Sequence, residues 1–125
     1  MSSIIQRKAA FAINVGSGSV EVTLDNPISA GSVIVIAGAV AQTDGGGGSA
    51  TSVLVEDDHS NFYSLPYQSS GSGFFANAYQ GSFSPAVGAQ SYTLTYTAQS
   101  GQGAYTFLAG ICVYELSGVS AFATN

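Results

Sequence analysis

Six adjacent residues, Glu56-Asp57-Asp58-His59-Ser60-Asn61, hold the densest polar chemistry of the chain. Glu56, Asp57, Asp58 and Asn61 would offer hard oxygen donors of the kind calcium takes. The same Asp, Asn and Ser content suits an ordinary β-turn, because these side chains bond to their own backbone. Calcium is the one ion this set suggests, and no other cofactor is expected. His59 is the single histidine, and Asp57 and Asp58 lie too close to it in sequence to orient it as the third member of a triad. No nucleophile-elbow sequence is present. Glycosidase chemistry needs two acids converging across a cleft; Asp44 and Glu115 are the remaining candidates, and Glu115, between Tyr114 and Leu116, is expected to face outward. Cys112, the lone cysteine, has no disulfide partner and no neighbouring cation to activate it. It reads as a small buried hydrophobe in the apolar run 108–113. Gly45 to Gly48 lacks the following Lys and helix of a phosphate loop and reads as a hairpin tip. No enzymatic activity is expected.

Charge narrows the partners. Arg7 and Lys8 are the only basic side chains, against seven carboxylates and a net charge of −5. A surface without Lys or Arg beyond residue 8 cannot neutralise a phosphate backbone or an anionic bilayer, so neither nucleic acid nor membrane is expected as a partner. Charged residues make up 7% of the chain, far below the roughly 25% usual in globular domains. Ser, Thr, Gln and Asn must therefore cover the outside, and such a surface suits close packing of copies.

These residues have to be positioned by strands. At 125 residues the chain makes one domain, and its apolar residues recur with period two. Ser19 to Leu24 and Tyr92 to Thr97 alternate cleanly. Val33 to Val40 is apolar nearly throughout, as in a central strand covered on both faces. Further strands are expected at Ala9–Ile13, Val53–Val55, Phe62–Leu65, Phe74–Tyr79 and Tyr105–Leu116. Eight or nine strands with frequent turns predict an all-β, two-sheet antiparallel β-sandwich, of jelly-roll or immunoglobulin-like form. The domain is expected to span residues 11–125. Residues 1–10 hold all the basic charge and read either as a loose terminus or as an inter-subunit arm carrying Ile4, Ile5, Arg7 and Lys8.

Tyr92, Tyr96, Tyr105 and Phe107 fall in core positions of the strand pattern. Tyr63, Tyr67, Phe75 and Tyr79 cluster near loops and are candidates for an exposed aromatic surface facing a ligand or a partner.

Residues 55–65 resemble the V-T-D-x-x-G-N-x-Y hairpin of small β-sandwich modules in bacterial surface proteins and phage structural proteins. Asp57, Asn61 and Tyr63 occupy its Asp, Asn and Tyr, with Ser60 in place of Gly. Residues 31–35, 92–97 and 113–119 are similar to its opening strand, its Thr-rich strand and its closing E-Y-S-G-V strand. The resemblance implies a structural or adhesive module with no enzymatic role. The expectation is a virion subunit, capsid-decorating or tail-associated, or a subunit of an extracellular assembly. Its partners would be copies of itself or another structural subunit. The first residues lack the pattern of a signal peptide. The alternative is a lectin-like carbohydrate-binding module, calcium-dependent or not, with a glycan as partner.

Overall fold

The computed structural model describes residues 3–44, 50–63, 67–71, 74–82 and 87–119, with the backbone alone for 50–52, 67–71 and 74–82. Nine strands run through them: β1 (Ser3–Val15), β2 (Gly18–Thr23), β3 (Val33–Gln42), β4 (Ala50–Asp57), β5 (Phe62–Tyr63), β6 (Tyr67–Gly71), β7 (Phe74–Ser82), β8 (Ser91–Ala98) and β9 (Thr106–Ser117). All pairings are antiparallel. One sheet has the order β1-β9-β3, continued by β7 and β6, and the other has the order β2-β8-β4-β5. The all-β, two-sheet reading therefore holds.

Between the sheets, each strand contributes the apolar half of its alternation. Val20, Val22, Val55, Tyr92, Leu94 and Tyr96 from the four-stranded sheet meet Ile34, Ile36, Val40, Phe107, Ile111 and Val113 from the other. The Tyr96 and Phe107 rings join the two layers, their centroids 5.6 Å apart. Each fully buried Val, Leu, Ile or Phe among them contributes roughly 1.5–3 kcal/mol.

Residues 3–10, set apart in the sequence as an arm, form the greater part of β1. The pairing with β9 runs from Ser3↔Ser117 to Val15↔Thr106, interrupted by one irregularity between Ile4 and Gln6. The β9 partner satisfies the backbone groups that a free terminus would leave to water. Two further strand expectations change. β6 is an additional strand, formed although Tyr67–Gly71 carries no apolar alternation. β4 begins three residues before Val53, its pairing with β8 starting at Ala50↔Ala98.

Candidate functional site

The acidic segment ends β4 and turns into β5. Asp57 is buried, and both its oxygens are taken. Oδ1 accepts from the backbone N–H of His59 at 2.8 Å and of Asn61 at 3.0 Å. Oδ2 accepts from the Tyr63 hydroxyl at 2.7 Å and from Asn61 Nδ2 at 3.2 Å. Burial, the largest single influence, pushes the Asp57 carboxyl up, but the hydrogen bonds from Asn61, Tyr63 and His59 together hold it below its ordinary value. The turn requires Ser60 to adopt φ +64°, the left-handed region where the resembled pattern has Gly.

Three of the four suggested metal ligands, Glu56, Asp57 and Asp58, line one small pocket with Glu21, but the Asp57 and Asp58 oxygens there already accept hydrogen bonds from the protein. Asp57 and Asn61 bond each other. Asp58 accepts instead from the backbone N–H of Gln90 at 3.1 Å and of Ser91 at 3.3 Å. Glu56 is exposed and lies one position earlier in β4, in register with Thr93 of β8. Among the described residues no three His, Cys, Asp or Glu side chains are grouped to hold a metal. The cluster is a fold-closing turn that ties the β4–β5 hairpin to the start of β8.

The aromatic candidates separate similarly. Tyr63 is buried, with its ring 6.0 Å from that of Tyr92, so it does not offer a stacking face. The side chains of Tyr67, Phe75 and Tyr79 lie outside the described set. Ile4 and Ile5 are about half exposed on β1, and Lys8 bonds Asp25 at 2.8 Å in an exposed pair. Such a pair contributes little to stability.

Glu115 corrects its expectation. It is fully buried, not outward-facing, because it shares the parity of Phe107, Ala109, Ile111 and Val113 along β9. Its oxygens accept from Gln6 Nε2 at 2.7 Å, Ser32 Oγ at 2.6 Å and the Ser29 N–H at 2.9 Å. Desolvation raises its carboxyl most, yet the bonds from Ser32, Gln6 and Ser29 leave it below its ordinary value. Gln6 also donates to the Asn26 carbonyl at 2.8 Å. It thus pins β1 to the loop leaving β2.

The most unusual surface lies elsewhere. Across the outer side of the five-stranded sheet, register aligns Ile13–Leu108–Ala41, Phe11–Gly110–Ala39, Ala9–Cys112–Ala37 and Arg7–Tyr114–Val35. Phe11 is 76% exposed, Ile13 63% and Leu108 37%, and none of the seven carboxylates lies in these rows. Phe11, Ile13, Ala39, Ala41, Leu108 and Gly110 line an apolar groove of about 570 Å³. Cys112 belongs to this face, half-buried, and not to the core. The outer side of the four-stranded sheet is more polar: Glu21–Thr93–Glu56–Phe62 and Ser19–Thr95–Leu54 run across it, with Phe62 and Leu54 its exposed apolar side chains.

The reading of Val33–Val40 as covered on both faces points toward this face without showing which strands share it. Val33–Val40 and Leu108–Val113 are apolar at consecutive positions, which marks strands covered on both sides. The core accounts for one side only. No family model, no curated protein and no solved structure matches the chain.

Proposed function

We propose that this protein is a non-enzymatic building block of jelly-roll form, a virion subunit of the capsid-decorating or tail-associated kind or a subunit of an extracellular assembly. One observation carries the reading: the carboxylate-free apolar outer face of β1, β9 and β3, set against a more polar face on the other sheet. An exposed contiguous apolar patch marks an interaction site, and a chain with net charge −5 meets its partners with least repulsion where it has no acids.

Strand nesting supports the jelly-roll form over the immunoglobulin-like one. β1 pairs with β9, β2 with β8, β3 with β7 and β4 with β5, the pattern of one long hairpin rolled over a core. Such folds serve both capsid and lectin domains, so the choice between them rests on the surface. The lectin-like alternative loses Tyr63 as a stacking ring, since Tyr63 is buried against Tyr92 and bonded to Asp57.

Light scattering on the purified chain, run beside a glycan array, tests the proposal. Discrete oligomers or particles with a blank array are expected. A monomer at every concentration that retains a glycan would overturn it.

A further inference from the structure

Resting on that reading, we propose that the apolar face is a two-fold interface between copies of this chain, in which Phe11 of each copy seats in the other's groove over Gly110 and Ala39. Three observations single out a second copy as the occupant.

The first is shape. The face carries both halves of a self-complementary contact, as a two-fold interface requires. Phe11 projects as a knob, 76% exposed, beside a groove whose floor is Gly110 and Ala39. Neither floor residue has a side chain beyond Cβ, so a ring can approach the sheet closely. The second is size. The three strands β1, β9 and β3, each with about ten residues in the face, ~4.8 Å apart and rising ~3.3 Å per residue, present roughly 480 Å² of flat sheet. Corrugated by side chains such as Phe11 and Ile13, this is more than half of the ~800 Å² per partner of a standard stable interface. The third is charge. Glu21, Glu56, Asp57 and Asp58 lie on or beside the four-stranded sheet, and Asp25 and Asp44 lie in loops. Two copies therefore meet face to face with their acids turned outward, and Arg7 sits at the margin of the contact.

Cys112 lies in the row next to Phe11 and Gly110 and reports on coverage. Sedimentation equilibrium combined with the rate of Cys112 labelling by a small disulfide reagent tests the interface. The expected wild-type result is a dimer whose Cys112 labels more slowly as concentration rises. Phe11→Asp and Ala39→Glu each weaken the dimer at least ~30-fold, the effect of losing a central anchor, and label quickly at every concentration. Thr95→Asp, on the opposite sheet, leaves the dimer unchanged. Circular dichroism verifies that each variant is folded. An oligomer insensitive to both face variants, with Cys112 labelling at one rate throughout, would overturn this interface while leaving the assembly reading intact. A wild-type monomer at all concentrations would overturn the dimer, and glycan retention by that monomer would remove the assembly reading with it.

Discussion

Two carboxylates decide much at the scale of single residues, and neither has a cationic partner. Asp57 and Glu115 are held by neutral N–H and O–H donors, and both have folded pKa values below their ordinary 3.8 and 4.5. A depressed carboxyl stabilises the fold fully above its unfolded pKa and loses that contribution as pH falls through the folded one. The urea midpoint should accordingly decline as pH is lowered from about 5 to about 2. Asp57→Asn should start lower at neutral pH and decline less steeply; parallel curves for wild type and variant would contradict this. Calcium should leave the melting midpoint where a chelator leaves it, because the Asp57 oxygens already have donors. Ser60 at φ +64° carries a backbone cost that Gly avoids. Ser60→Gly should therefore stabilise by about 0.5 kcal/mol, a rise of about 2 °C in calorimetry. Asp57, Asn61 and Tyr63, the three positions the resemblance picks out, are bonded to one another, whereas the sequence reading divides them between a metal set and an aromatic surface. It could not tell a turn from an ion site, since both use the same oxygens, and only the direction of the N–H groups decides.

Between elements, the demanding points are the corners where the chain leaves one sheet for the other. β1 hands over to β2 at Gly16, whose φ is +75° and whose added Cβ would stand 2.7 Å from the Gly103 carbonyl oxygen. Gly31, at φ +82°, has open space around it. Gly16→Ala should thus cost about 2–3 kcal/mol, from strain and collision together, and Gly31→Ala only ~1 kcal/mol. Equal losses in chemical denaturation would contradict that reading of the corner. Clean alternation made β2 and β8 legible in the sequence, because one face of each meets the core and the other carries Thr, Ser and Glu. β1 was legible only in part. Its N-terminal half alternates poorly, and long-range pairing with β9 organises it. A lone charge in an apolar strand suggests solvent, but strand parity places Glu115 inward beside Ser32 and Gln6.

The whole molecule is a sandwich with two unlike exteriors. A single-layer core explains why Val22, Leu94, Ile36 and Val113 are apolar. It does not explain why Phe11, Ile13 and Leu108 are apolar on the far side of the same sheet. Composition already hinted at dense packing, with few charges anywhere, but direction was invisible until the strands were paired. Once β1, β9 and β3 are in register, the acid-free rows line up and the seven carboxylates fall on other surfaces or within the core. Methyl NMR with a soluble paramagnetic relaxation agent tests this two-sided picture most directly. At high concentration the methyls of Ile13, Leu108, Ala39 and Ala41 should be shielded from the agent, while those of Thr93, Thr95 and Leu54 relax strongly. Equal relaxation on both faces, unchanged by dilution, would contradict an interface on the five-stranded sheet.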